Sequence, residues 1–509
     1  MADRPGVAAT LRALREALGR PAALWVKESS ARNLRHRDFL APRAALRAAF
    51  PDGQVPADAV ARVTSLCGAG VLAVRGAQQV PAGLEVRLQR PDAFRRLLLS
   101  PSPAPAPTPV PVPAVVLHCP ALRGPAAPRH LRPLLLADHL AQLLRAQGVG
   151  VRLVPALAED GRRDVLRQLR VDWPAGPAGT DLADAVSALK RALGRAPCAA
   201  GCGQGPGAAA LPADVICKVR LKGFAEQQGL VGYDPNLDVL LVTEGKLRSV
   251  AELQQAALQC TVSNPAVRPA PCFPHVVLPI VHVVSCEEEF QQQQLDLLWR
   301  ILDPGPHTKY LVCGPVKVTN PSSPIGADQY LHCGSSAAAW TGTHPCPQIT
   351  LDLQDSSIST KGTKSGAFVM YNCARLATLF DTFQRAVERG TYPPLPPPSE
   401  LNFSCLREEG EWLLLFNYLL PFPEVLQQAA QLPAPTKGIR ITANTEAVCK
   451  FLIQLSMDFS SYYNRVHVLG EPFPHLFEQM FARLQLLAAV RDVFHSALAT
   501  LHLPPLSQI

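Results

Sequence analysis

The stretch that most limits what this 509-residue chain can fold into is Pro101–Pro113, PSPAPAPTPVPVP. Proline at nearly every second position removes the N–H donors that a helix or a strand ladder needs. The backbone there stays extended, so the stretch predicts a stiff linker, 101–113, that sets off a head, residues 1–100. The head reads as a small α/β unit, with helical spacing at 10–19 and 40–49, then strand-like Val71–Val74 and Leu84–Leu88. Its charge is one-sided. It holds sixteen basic residues against eight acidic, whereas residues 400–509 hold seven against ten. A basic head suits a polyanion partner, although a GC-rich gene writing Arg in place of Lys gives the same count.

Beyond the linker, Val115–Leu117, an amphipathic run Leu131–Gln147 closed by Gly148, and Val149–Val154 read as strand, helix and strand. Such a βαβ unit predicts a parallel sheet. The run His275–Ser285, HVVLPIVHVVS, is apolar on both faces, as a central strand should be. Helices at 181–194 and Glu287–Leu302, with strands at Val215–Arg220, Leu237–Thr243 and Tyr310–Val312, complete an α/β middle spanning 114–352. Its final stretch, 320–352, has no steady period and reads as irregular.

Residues 353–509 read as an all-α bundle: one helix from 366, a Pro-rich break at 393–398, then Trp412–Ala430, Glu446–Glu471 and Leu476–Leu501. In the third of these, Val448, Phe451, Leu452, Leu455, Phe459 and Tyr462 recur at helical spacing. Asn444 or Thr445 caps its start, and Gly470 with Pro472 stops it. Its far end carries Tyr462, Tyr463, Asn464, Arg465 and His467. Such a tip serves either as the polar end of a core helix or as a place where bases stack and a phosphate is held.

Hydrophobic residues at 48% and charged residues at 18% describe a chain with a packed core. No apolar run nears the ~18 residues of a membrane helix. The start lacks a secretory apolar region. Leu11, Arg12, Leu14, Arg15 and Leu18 have a presequence-like spacing that Asp3 and Glu16 oppose. Cys198 and Cys202 lack the second pair that structural zinc needs, so the fourteen cysteines read as reduced thiols of a cytoplasmic protein. No phosphate loop, nucleophile elbow, dinucleotide fingerprint or HExxH is present. Glu287–Glu289 suits the start of a helix. The residues point to no catalytic group, cofactor or metal.

Four blocks of the tail resemble the DALR anticodon-binding domain of arginyl-tRNA synthetases. They are KSGAFVMYNCAR (364–375), LLPFPEVLQQAA (419–430), FLIQLSMDFSSYYNRVHVL (451–469) and ARLQLLAAVRDVFHSALATLHLPPL (482–506). The name-giving tetrapeptide stands here as Ala488-Ala489-Val490-Arg491. More faintly, 114–154 and the segments around Ser285 and Tyr310 resemble a class I synthetase core. Arg37–Pro42 and Gly76–Leu88 resemble that family's N-terminal tRNA-elbow domain. The resemblance implies a degenerate, Rossmann-type class I core between a small α/β head and a DALR helical bundle.

The departures matter as much. Where synthetases carry their HIGH-type signature the chain reads Ala127-Pro128-Arg129-His130, and Arg129 would obstruct the nucleotide. The later G-x-x-Q-x-x-H-F pattern is SCEEEFQQ, and no lysine pair follows Lys317. Losing one preorganised charge stabiliser costs about 10²–10³ in rate. Such losses speak against aminoacylation. Together LLLFNYLLPFPE (413–424) and QLSMDFSSYYNRVHVLGEP (454–472) resemble most a family of DALR-domain proteins outside the synthetases, and that resemblance implies a non-catalytic tRNA-binding protein that presents arginine tRNAs to a tRNA 3-methylcytidine methyltransferase, with no DNA and no membrane. By position in the family motifs, Phe368, Tyr371, Arg375, Tyr462, Tyr463 and Arg465 are the expected RNA contacts. Residual arginyl-tRNA synthesis and a protein-only scaffold are the alternatives.

Overall fold

The computed structural model describes residues 4–19, 26–29, 31–50, 53–99, 114–123, 128–147, 149–157, 166–167, 170–171, 173–174, 182–196, 199–200, 212, 214–262, 279–303, 307–314, 316–319, 349–352, 366–431, 438–444 and 446–507. The linker at 101–113, the Cys198/Cys202 pair, Ala127 and residues 320–348 lie outside these.

In the head, four antiparallel strands run in the order Lys27–Glu28, Phe39–Pro42, Gly83–Leu88, Val74–Val80. Helices Val7–Ala17, Arg43–Ala49, Ala57–Thr64 and Arg90–Leu99 accompany them. The helix expected from 40 begins only at Arg43. Phe39–Pro42 is a strand, and Pro42, with no N–H and an extended backbone, ends the strand and caps the helix. The strand expected at Val71–Val74 starts instead at Val74.

The middle is built on a parallel sheet ordered His307–Cys313, Pro279–Ser285, Ala114–His118, Gly150–Val154. Pro279–Ser285 lies between two neighbours, the place that its two-sided apolar run predicts. Alternation sorts the faces. Val115, Leu117, Val281 and Val283 join one core with the head and tail, while Val116 and Ile280 join a second. The strands Val215–Arg220 and Val239–Thr243 do not extend this sheet. With Ala199–Ala200 they make a separate antiparallel one. A helix absent from the expectations, Glu244–Val262, buries Leu247, Val250, Ala251 and Leu253. The end of the stretch expected to be irregular, Ile349–Asp352, pairs in parallel with Val316–Thr319.

The tail holds helices Gly366–Glu388, Glu409–Leu414, Phe422–Ala430, Glu446–Arg465 and Pro474–Ala499. The helix expected across 412–430 is interrupted by a π-turn, Leu415–Leu419. The Leu420 N–H reaches Leu415 O at 2.9 Å, just before Pro421, which has no donor to continue the ladder. Helix Glu446–Arg465 stops at Arg465, short of Gly470.

Head and tail pack directly on one another. Trp412, 1% exposed, donates from Nε1 to Asp38 Oδ1 at 2.8 Å and lies 4.9 Å beneath the Arg90 guanidinium. Phe416 stands edge-on to Phe39 at 5.6 Å. Burying a ring of this size stabilises by roughly 2–3 kcal/mol. The tail also reaches the core sheet. Tyr310 donates its N–H to Ile439 O at 2.9 Å, Ile441 returns one to Tyr310 O at 2.8 Å, and Arg440 grips Glu289 at 2.6 and 2.7 Å. Gly232, at φ +98°, allows this approach, since a Cβ there would lie 2.4 Å from Gly438 Cα.

Candidate nucleic-acid interface

Two tail helices, Gly366–Glu388 and Glu446–Arg465, lie side by side and bring the expected contacts from separate parts of the sequence together. Asn372 stitches them through Nδ2, donating to Ser456 O at 3.2 Å and to Phe368 O at 3.0 Å. One helical turn on, Arg375 crosses between the helices. Its Nη1 donates to Ser460 Oγ at 3.1 Å and its Nη2 to Asn464 Oδ1 at 2.7 Å. The guanidinium lies 4.3 Å from the Tyr463 ring centroid and 5.3 Å from that of Tyr371. Tyr371 stacks in turn near Phe368, at 6.3 Å and 24°. The result is a short ladder of Phe368, Tyr371, Arg375 and Tyr463, with a cation held between two π faces.

Tyr371 is 43% exposed, while Phe368, Arg375 and Tyr463 are half-buried. Beside the ladder opens a hollow of about 370 Å³, lined by Arg375, Thr378, Thr382, Tyr463, Asn464 and His467 among others. Its wall offers hydroxyls, an amide, an imidazole and a guanidinium to solvent. Sequence reasoning missed Ser460, Thr378 and Thr382. The first lies one helical turn before Asn464, the other two one and two turns beyond Arg375, so helical spacing from the chosen residues carries the signal.

Two expected contacts fall outside the ladder. Arg465 is exposed at the helix end, its Nε bonded to Ser461 O at 3.1 Å. Tyr462 is corrected outright. It is 1% exposed, with its hydroxyl on Glu411 Oε1 at 3.4 Å and its phenol held far above its usual range by burial. Consecutive helical residues point about 100° apart, so Tyr463 meets solvent and Tyr462 meets the core.

In the head, part of the basic excess is spent internally. Arg37 pairs with Glu85 at 2.8 Å, Arg90 with Asp38 at 3.3 Å, and Arg96 donates to Val71 O at 2.6 Å. Arg12, Arg32, Arg43, Arg47, Arg75 and Arg87 remain exposed.

The segments that resemble synthetase nucleotide signatures also meet, with changed chemistry. His130 Nε2 faces Glu288 Oε1 at 3.9 Å, and Glu288 accepts from Ser285 Oγ at 2.9 Å. Arg132 donates to Gly314 O at 3.0 Å. A carboxylate thus stands beside the one histidine that this segment keeps. Among the described residues no three His, Cys, Asp or Glu side chains are placed to hold a metal ion, and no helix is long and apolar enough to cross a membrane.

Residues 5–104 match the family model described as the DALR N-terminal domain, and residues 369–509 match the DALR anticodon binding domain. The chain is 48% identical to the DALR anticodon-binding domain-containing protein 3 of Mus musculus, covering 99% of both chains. To the protein of that name from Danio rerio it is 39% identical, over 96% of this chain and 94% of the relative. Among solved structures it is similar to Thermus thermophilus arginyl-tRNA synthetase, with a TM-score of 0.53 at 16% identity over 99% of this chain and 100% of that one. The arginyl-tRNA synthetase of Plasmodium falciparum gives a TM-score of 0.57 at 10% identity over 100% of both chains. At these identities the likeness establishes the fold: a class I synthetase-like core with a DALR bundle.

Proposed function

This chain belongs to the DALR anticodon-binding domain-containing protein 3 family, and we propose that it is a non-catalytic tRNA-binding protein that reads the anticodon loop of arginine tRNAs. The observation that carries this is the Tyr371–Arg375–Tyr463 ladder beside an open hollow, inside the region matched as an anticodon binding domain. Single-stranded loops are read by aromatic faces that stack splayed bases and by guanidiniums that reach phosphate or base edges. Tyr371 offers a face for stacking, and Arg375 comes pre-oriented, so little side-chain entropy remains to be lost on binding.

The acidic balance of the tail suits selectivity better than bulk affinity. The exposed arginines of the head supply the salt-sensitive attraction, and the tail chooses among the tRNAs so drawn in. The division into a head (1–100), a linker (101–113), a core (114–352) and a tail (353–509) follows this split of roles. Decay of the nucleotide signatures, with Glu288 beside His130, speaks against arginyl-tRNA synthesis. Having lost its own chemistry, the protein serves as an accessory subunit that delivers bound tRNA to a tRNA 3-methylcytidine methyltransferase in the cytoplasm.

Crosslinking and sequencing of bound RNA, repeated with Tyr371→Ala and Arg375→Ala, tests this. Arginine tRNAs enriched by the wild type and lost by the variants is the expected result. Equal capture of unrelated tRNAs refutes the arginine selectivity, and no RNA at all refutes RNA binding and leaves a protein-only scaffold. Pyrophosphate exchange with arginine and tRNA should show no turnover, and 3-methylcytidine in arginine tRNAs should fall when the protein is removed from cells.

A further inference from the structure

The hollow and the head are joined by one run of polar contacts that passes through the core. Glu411, 0% exposed, sits at its centre. Its Oε1 accepts from Arg483 Nε at 2.8 Å and from the Tyr462 hydroxyl at 3.4 Å, and the carboxylate also takes the Glu408 N–H at 2.9 Å. Arg483, with 11% of its side chain exposed, sends Nη1 on to His467 O at 3.3 Å. His467 lines the hollow, and its neighbours Val466, Val468 and Leu469 complete that wall. In the other direction the next residue, Trp412, donates to Asp38 of the head. Gly410 lets this turn sit close, since a Cβ there would lie 2.7 Å from the Tyr462 ring.

We propose that Glu411 and Arg483 form a relay that fixes the 466–469 wall of the hollow against the docked head, which makes Arg483 a positioning residue for RNA recognition. The relay matters only if the hollow takes RNA, as proposed above. The wall is neither helix nor strand, so side chains must hold its carbonyls. Arg483 holds that of His467, and Tyr392 holds that of Gly470, the residue just past the wall, at 2.5 Å. Arg483 can do so only while its other edge is fixed on Glu411. Burial pushes the Glu411 carboxyl above its ordinary range, and the Arg483 and Glu408 N–H donors act against that rise, so loss of either donor leaves a buried carboxyl less well satisfied. Any shift of the head on Trp412 moves the helical turn that carries Glu411, and the wall with it.

The test uses the full chain and a synthetic anticodon stem-loop of an arginine tRNA. Arg483→Lys keeps a cation on Glu411, but a single ammonium cannot also reach the His467 carbonyl. Melting near the wild-type temperature with about tenfold weaker stem-loop binding is the expected result, the size of one charge-assisted hydrogen bond. Trp412→Phe keeps an aromatic side chain, though a smaller one, and removes the N–H to Asp38. About three- to fivefold weaker stem-loop binding is expected from it, although Trp412 is buried away from the hollow. If Tyr371→Ala weakens binding while both relay variants bind as the wild type does, the relay is wrong and the RNA site stands. If Tyr371→Ala and Arg375→Ala also bind normally, the RNA site falls and the relay with it. If Arg483→Lys does not fold, Trp412→Phe decides alone.

Discussion

The Arg375 end of the tail and the strand ends of the core sheet both gather cations, imidazoles and rings, yet they treat them in opposite ways. In the tail, Arg375 lies between Tyr371 and Tyr463 beside a hollow, its Nη atoms on a neutral hydroxyl and a neutral amide oxygen. At the strand ends, His130 faces Glu288, Arg132 is turned onto Gly314 O, and burial pushes the Cys313 thiol up to about 12. One region holds its cation with neutral groups only. The other sets a carboxylate against its imidazole and a carbonyl against its guanidinium. A polyanion is bound where the protein leaves charge for it to neutralise, which is why the proposed RNA site is assigned to the first region and not to the second.

The sharpest way to break this contrast is the double variant Tyr371→Ala/Arg375→Ala, which should weaken binding of an arginine anticodon stem-loop about 10²- to 10³-fold in gel shift or anisotropy. A loss no larger than from an exposed surface arginine would erase the contrast. Next in size is a pH effect confined to the core. His118 Nδ1 and His282 Nδ1 meet at 2.9 Å in the middle of the sheet, and burial pushes the His282 pKa from 6.5 down to about 4. Between those values the unfolded chain takes a proton that the folded chain refuses. Stability is therefore full above pH 6.5 and falls as the pH drops toward 4, by about 3 kcal/mol. Denaturant melts at pH 7 and pH 5 should show this slope, and His282→Asn should flatten it. The smallest effect is expected from Tyr462→Phe, which removes one long hydrogen bond from an otherwise satisfied Glu411. It should cost less than about 1 kcal/mol and leave RNA affinity unchanged. A large loss of affinity would return Tyr462 to the contact surface.

Much of this was legible in the chain. The two-sided apolar run ending at Ser285 announced a central strand, and the tail helices announced themselves by period. Pro42 and Pro421 marked where helices could not run, although at both the expectation carried a helix too far. Glu244–Val262 also escaped, since its alanines and glutamines dilute the apolar period.

What the sequence by itself determined is local: periods, breaks, the surplus of arginine in the head, and the loss of the charged nucleotide signatures. These depend on residue type and spacing, which are one-dimensional. The tertiary structure decided which of two adjacent tyrosines is core and which is surface, because a helix turns about 100° per residue and only the packed neighbour fixes its phase. It also decided that residues nearly four hundred positions apart, Asp38 and Trp412, share a hydrogen bond. No spacing rule reaches that far. Long-range contacts follow from which apolar faces find each other, and that choice is made only when the whole chain has packed.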